Sequence, residues 1–274
     1  MVNKLKFYRY GTPKGKIVIY FHGAPGSPQE AVIFDSHAKA HHLNLICYDR
    51  FSIDSKMKDQ AYYQYLAKII AEKANGHQID LIGYSIGCHT AIETSIYLEN
   101  IVSNLHIIAP VAPLDAENFL ADMAGKRVFS AATNYPSIFT LFSYWQSLAT
   151  KIAPHTLFKI LFASTTGADK ELAKTKEFED YIKPILHHCF TRNIKGYMRE
   201  INQYVKPWKE SVSHCRINTH IWHGTSDNWS PISMANYLRD NLPMSGNVES
   251  MKNLSHYSCL FAAAPKICAQ LAEK

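Results

Sequence analysis

Ile79-Asp80-Leu81-Ile82-Gly83-Tyr84-Ser85-Ile86-Gly87-Cys88-His89-Thr90-Ala91 is the stretch whose reading decides the architecture. Its first six residues form a short apolar run of strand length. From Ser85 the pattern becomes helical, and Gly-x-Ser-x-Gly spans the junction. In a strand-turn-helix context the serine is held in a strained backbone at a sharp turn, so its neighbours must be nearly free of side-chain bulk. Gly83 and Gly87 meet that demand. Ser85 then projects its hydroxyl from the carboxyl end of the strand as a candidate nucleophile. The backbone N–H of Ile86, at the start of the helix, points toward negative charge developing on a substrate carbonyl oxygen.

Working outward, further short runs rich in Ile, Val, Leu and aromatics have the length of buried strands: Ile17 to His22, Leu43 to Tyr48, Leu105 to Pro110 and Ile217 to His223. Helical patterns lie between them. The clearest runs from Asp59 to Asn75, with Asp59 placed to cap the first turn and Tyr62, Leu66, Ile69 and Ile70 as an apolar stripe. A second helix is expected from Ser85 to about Asn100. A strand near Asn247 to Met251 and a helix from about Cys259 to Ala272 close the chain. This alternation predicts an α/β fold: a mostly parallel open sheet with helices on both faces.

The alternation breaks between Leu114 and Glu210, where aromatic residues recur among charged ones at helical spacing. We expect an α/β core over residues 1–113 and 211–274 and a helical cap inserted at 114–210. Phe119, Phe139, Phe142, Tyr144, Trp145, Phe158, Phe162, Tyr197 and Trp208 are read as the cap's own core and its contact with the sheet. A few of them are expected to line a pocket.

Some sixty residues before the serine, Tyr20-Phe21-His22-Gly23-Ala24-Pro25-Gly26-Ser27 leads out of a strand. With Gly83-Tyr84-Ser85-Ile86-Gly87, this loop resembles the α/β-hydrolase superfamily, in the His-Gly-x-Pro-Gly-Ser variant of its epoxide-hydrolase-like and peptidase-like members. The resemblance covers the first hundred or so residues and the last sixty. It implies that His22 is structural and that the Ala24 N–H is the second oxyanion donor, beside Ile86. It also implies an acid in Trp222-His223-Gly224-Thr225-Ser226-Asp227, with Asp227 as candidate. Asp115, after another strand, is the alternative acid, and capping of a helix near Pro231 is the plain reading of Asp227. In Leu254-Ser255-His256-Tyr257-Ser258, His256 stands where the family places its base, and the order Ser, Asp, His is the one expected. A serine nucleophile argues against the epoxide-opening and dehalogenating members, which use a carboxylate. Tyr48-Asp49-Arg50-Phe51-Ser52 resembles the family's Asp-Arg-x-Gly loop with its glycines replaced.

Composition excludes several classes. The 274 residues are 47% hydrophobic and 19% charged, without low-complexity tracts. The net charge is +6, but Lys and Arg are scattered rather than gathered into a nucleic-acid-binding stripe. No apolar run has the length of a membrane span, and the opening Met1 to Tyr10 lacks the apolar stretch of a signal peptide, so a cytoplasmic protein without stable membrane insertion is expected. Cys47, Cys88, Cys189, Cys215, Cys259 and Cys268 lie far apart without a Cys-x-x-Cys pair, which suits reduced, buried thiols. No metal or cofactor motif is present, and Cys88 is read as packing. The expected function is hydrolysis of a carboxylic ester of a small-molecule acyl substrate through an acyl-enzyme on Ser85. Two readings stand beside it: an aminopeptidase of the proline-iminopeptidase type, with Glu117, Asp122 or Glu200 holding the amine, and a non-catalytic binding protein on the same scaffold.

Overall fold

Runs of consecutive buried apolar residues set the architecture of the computed structural model, which describes residues 5–272. The strands are β1 (Phe7–Gly11), β2 (Lys16–Phe21), β3 (Leu43–Tyr48), β4 (Ile79–Tyr84), β5 (Val102–Ile108), β6 (Asn218–Gly224) and β7 (Ser245–Met251). β3 and β4 are buried at every position, as strands covered on both faces must be. The seven lie in one sheet in the order β1-β3-β2-β4-β5-β6-β7. β1 runs antiparallel to β3, and every other pair is parallel. Residues 1–4 and 273–274, which belong to the expected core and, at the start, to the stretch read for a signal peptide, lie outside the described residues.

The helices are α1 (Asp35–Ala40), α2 (Asp59–Ala74), α3 (Ile86–Ser95), α4 (Lys126–Asn134), α5 (Pro136–Ile152), α6 (Pro154–Phe162), α7 (Asp169–Leu172), α8 (Lys176–His187), α9 (Ile194–Tyr204), α10 (Lys209–His214), α11 (Ile232–Asn241) and α12 (His256–Ala272). α4 to α10 all fall between β5 and β6, and the expected boundary at residue 210 lies inside α10. Among the described residues no helix is long and apolar enough to cross a membrane. All six cysteines are free and buried.

Several expectations about the elements change for physical reasons. Asp59 does not cap α2: the cap position is Lys58, Asp59 has φ 55°, and its carboxylate takes the Lys206 ammonium at 2.5 Å. Of the α2 stripe, Tyr62, Leu66 and Ile70 are buried and Ile69 is half-buried. α3 stops at Ser95, whose hydroxyl turns back onto the Ile92 carbonyl at 2.8 Å, so the helix does not reach Asn100. α12 starts three residues before Cys259 because Asp169, from α7, accepts the Tyr257 and Ser258 N–H groups at 2.8 and 2.7 Å. Such a cap from a distant element leaves no local signal. Of the nine aromatics assigned to the interior, Phe142, Tyr144 and Trp145 are exposed on α5, while Phe119, Phe139, Phe158, Phe162, Tyr197 and Trp208 are buried.

Candidate active site

β4 delivers Ser85 to the carboxyl edge of the sheet in a backbone conformation that only crowding maintains. Its φ is 54° and ψ −129°, its N–H donates to the Ile108 carbonyl at 3.0 Å, and α3 begins at the next residue. A positive φ strains a residue with a side chain, so the surroundings must hold it. The two glycines explain how. A Cβ on Gly83 would sit 2.8 Å from Cys88 Cα, and one on Gly87 would sit 2.2 Å from the Phe21 carbonyl oxygen. The turn can pack only without them.

The residues beside the elbow supply neither thiolate nor base. Burial pushes the Cys88 thiol up, and its Sγ faces the Ile108 carbonyl. Burial, aided by the Arg50 charge, lowers the His89 pKa to about 3. The ring packs 4.6 Å from Trp208 and does not line the cavity that holds Ser85.

Asp227 and His256 come together as the sequence implies. His256 Nδ1 lies 2.7 Å from Asp227 Oδ2, and both side chains are buried. Because a carboxylate only accepts, Nδ1 carries the proton and Nε2 keeps its lone pair. The other oxygen, Asp227 Oδ1, accepts the Trp229 and Ser230 N–H groups at 2.8 and 3.0 Å, which ties the turn before α11 to the same side chain. Turn stabilisation and histidine pairing are thus both served by Asp227, one oxygen each. Asp115, the alternative acid, accepts the Trp208 N–H instead.

The electrostatics follow from this pairing. Burial opposes charge on His256, but the Asp227 carboxylate, by its charge and hydrogen bond, outweighs it, so the imidazole pKa lies above its ordinary value. Burial likewise opposes ionisation of Asp227, and the His256 charge with the backbone donors carries its pKa below the ordinary value. The imidazole is held between Tyr84, 4.9 Å away, and Trp229, stacked at 5.4 Å. Trp229 and Ser85 line one cavity. Among the described residues His256 is hydrogen-bonded to Asp227 through its side chain and not to Ser85.

The loop after β2 is fixed by buried charge. Gly23 N–H donates to Glu30 Oε1 at 2.9 Å, and Tyr20 donates to the same oxygen at 2.8 Å. Gly23 is therefore engaged, whereas Ala24, the expected donor, lines the cavity with Ile86 and Ser85. Burial pushes the Glu30 pKa up to about 7 against those two hydrogen bonds, and Oε2 has no partner. His22 is a scaffold residue: its ring meets Phe51 edge-on at 4.6 Å, and burial and the Arg50 charge keep it neutral. Arg50 donates to the His22 carbonyl at 2.5 Å and grips Glu200 of α9 with two hydrogen bonds of 2.8 Å. Tyr62 also donates to Glu200, so this carboxylate is spoken for and cannot hold a substrate amine.

The cavity above Ser85 has a volume of about 200 Å³ and is roofed by α4, α5, α6 and α9. None of the residues lining it is charged, and Glu117 and Asp122 are not among them. Two polar side chains in its wall have buried atoms without hydrogen-bond partners: Gln146 Oε1 from α5 and Trp229 Nε1. Sequence reading missed Glu30, Asp169, Gln146 and Trp229. Gln146 left the one usable trace, a polar residue seven after Phe139 within an apolar helix. The described residues contain no cluster suited to a metal ion.

A doubly covered, mostly parallel sheet with a strained serine between β4 and α3 defines an α/β hydrolase. Residues 48–259 match the model of the lipid-droplet associated hydrolases, and the chain belongs to that family. No curated protein sequence matches it. Among solved structures it is similar to a bromoperoxidase from Bacillus anthracis, with 18% identity, TM-score 0.70, and 97% of this chain and 93% of the other covered. A hydrolase from Oleispira antarctica is similar with 12% identity, TM-score 0.71 and coverage of 100% and 96%. An esterase from Exiguobacterium antarcticum matches with 15% identity, TM-score 0.71 and coverage of 99% and 96%. At these identities the likeness is one of fold.

Proposed function

We propose that the chain cleaves an uncharged carboxylic ester through an acyl-enzyme on Ser85. The observation that carries this reading is a strained serine at an uncharged cavity that Trp229 also lines, with the ring of the buried Asp227–His256 pair stacked on Trp229. The Ser85 hydroxyl turns to His256 Nε2, gives up its proton there, and Oγ bonds to the ester carbonyl carbon. The carbonyl oxygen becomes an oxyanion held by the Ala24 and Ile86 N–H groups. As the tetrahedral species collapses, the ester C–O bond breaks and the departing alcohol takes the proton from His256. Water then repeats the sequence on the acyl-enzyme, with His256 again as base, and the carboxylic acid leaves.

The uncharged lining supports an ester over an aminopeptidase substrate, whose ammonium needs a carboxylate in the cavity. The family is described as lipid-droplet associated, and we extend that to this chain: its ester is a neutral lipid presented at a lipid surface. A cavity of about 200 Å³ takes a short acyl or alcohol part, so a longer chain must extend outward past the half-exposed Ile160 at its wall.

The test is labelling with a fluorophosphonate, run with turnover of p-nitrophenyl esters in wild type and Ser85→Ala. Labelling should vanish in the variant and kcat/KM should fall by roughly 10⁴-fold or more. Folded wild-type protein that neither labels nor turns over would leave a ligand-binding protein on this scaffold.

A further inference from the structure

The Asp227–His256 pair joins two loops that leave the sheet side by side, one after β6 and one after β7. Near their roots the loops hold each other. Thr225 N–H donates to the Met251 carbonyl at 3.0 Å, Asn253 N–H to the Thr225 hydroxyl at 3.0 Å, and Ser226 N–H to the Leu254 carbonyl at 2.9 Å. Ser226 and Leu254 mark the outer end of this set, short of both Asp227 and His256.

Beyond that point the inserted segment takes over. Residues 164–169, which lead from α6 into α7, touch both loops on either side of the pair. Around Asp227, the Thr166 hydroxyl donates to the Ser226 carbonyl, and the Asn228 amide donates to the Ser164 carbonyl at 2.7 Å. Around His256, the Ala168 N–H donates to the Asn253 carbonyl at 3.0 Å, and the fully buried Asp169 accepts the Tyr257 and Ser258 N–H groups at 2.8 and 2.7 Å. Gly167 sits among these contacts with φ 54°. A Cβ there would lie 2.6 Å from Ser226 Cβ and 2.8 Å from the Asn253 carbonyl oxygen, so the backbone presses against both loops at once.

Asp169 bears most directly on the base. α12 begins at His256, so the Tyr257 and Ser258 N–H groups are among the donors that no turn of the helix can satisfy. One carboxylate takes both, one oxygen each, immediately after the histidine. It thereby fixes where the helix starts and from where the His256 side chain leaves it. Small displacements count at such a place, because misplacing a reacting group by about 1 Å can cost roughly 10²-fold in rate.

We propose that residues 164–169 form a clamp that sets the separation of the Asp227 and His256 loops, with Asp169 as the positioning residue for His256. The inserted segment then does more than roof the cavity: it holds the acid and the base in register. The kinetic consequence rests on the proposed hydrolysis. The clamp itself is read in the Asp227–His256 hydrogen bond, without substrate.

The experiment compares the full wild-type chain with Asp169→Asn, Gly167→Ala and Leu157→Ala. Turnover of a p-nitrophenyl ester is measured beside the low-field proton resonance of His256 Nδ1–H, which needs no substrate. Asp169→Asn offers one acceptor oxygen in place of two, and Gly167→Ala pushes on Ser226 and Asn253. Each should lower kcat by about tenfold to a hundredfold with KM held within about twofold, and should shift or broaden the resonance. Leu157→Ala removes buried apolar bulk from α6 and no hydrogen bond to either loop, so it should lower the thermal unfolding midpoint and leave kcat and the resonance as in wild type. If Asp169→Asn does not fold, Gly167→Ala and Thr166→Val carry the same expectation. Wild-type kcat and an unmoved resonance in the folded clamp variants would overturn the proposal. So would a loss of kcat that Leu157→Ala shares, by assigning the effect to general stability. A resonance that moves in Asp169→Asn, in a protein that turns over no ester, would support the clamp while removing the hydrolase mechanism.

Discussion

α3 and α5 both reach the cavity above Ser85, and they are built in opposite senses. α3 is buried along nearly its whole length, from Ile86 through Ser95, and its amino end presents the Ile86 N–H at the elbow. α5 buries Ser143, Gln146 and Thr150 and turns Leu141, Leu148 and Ile152 outward. A helix whose whole circumference is enclosed must satisfy packing on every side, and any change there is felt at the serine. A helix that is polar inward and apolar outward is held by its neighbours on one side only, and its other side is free to answer to a partner. On the proposed function, substitutions on the serine side of the cavity should alter chemistry and stability. Those on the outer roof should leave both unchanged.

The strongest test of that division is Asp227→Asn. Removing the carboxylate charge while keeping the shape should lower kcat by about 10⁴-fold, because the amide no longer fixes the Nδ1–H tautomer or stabilises the imidazolium. The pH profile carries a second signature. His256 acts as base only when neutral, and Asp227 raises its pKa, so wild-type kcat/KM should climb with pH through a midpoint above the ordinary histidine value. In the variant burial is opposed only by the weaker influence of the Asp169 and Glu30 carboxylates, and the rising limb should move to lower pH. Activity within tenfold of wild type, with an unmoved limb, would show that the buried pair is structural.

Glu30→Gln tests the serine side for stability rather than rate. The folded pKa of Glu30 is about 7 against an ordinary value of 4.5. Below pH 4.5 the carboxyl is protonated in both states and contributes no difference. Between pH 4.5 and 7 the unfolded chain gives up the proton while the fold retains it, so stability falls as pH rises, by roughly 3 kcal/mol in all, and stays lower above pH 7. Gln cannot ionise. Urea unfolding at pH 5 and pH 8 should show that fall in wild type and a shallower one in the variant; identical falls would assign the pH dependence to other groups.

The two sides of the cavity also differ in how far they could be read in the sequence. The strained turn of Gly83, Ser85 and Gly87 was legible because such a turn admits few residue types, and the hydrogen bond of Asp227 to His256 was anticipated from their places in the chain order. The strands β3 and β4 were legible because burial on both faces demands unbroken apolar runs. Glu30 was not, since a carboxylate braced by the Gly23 N–H looks in sequence like any surface acid. Nor was Asp169, which caps α12 across 88 residues of chain. In α5 the apolar residues were visible, but periodicity gives the spacing of a stripe and not its side. Phe142, Tyr144 and Trp145 were assigned to the interior by the rule that aromatics are buried, and this helix reverses that rule.

The smallest expected effect bears most directly on the reversal. Leu141, 72% exposed on the outer face of α5, should tolerate Leu141→Ser with a change in unfolding free energy within about 0.5 kcal/mol, as for surface positions generally. A buried leucine cut back to a small residue costs about 2 to 5 kcal/mol. The measurement is the urea midpoint at low protein concentration, without lipid. A near-zero change means that this leucine contributes nothing to the isolated fold. A loss approaching that of a buried leucine means that another copy of the chain covers the face in solution. Repeating the midpoint across a hundredfold range of protein concentration separates the two, because stabilisation by association depends on concentration and the exposure of a lone side chain does not.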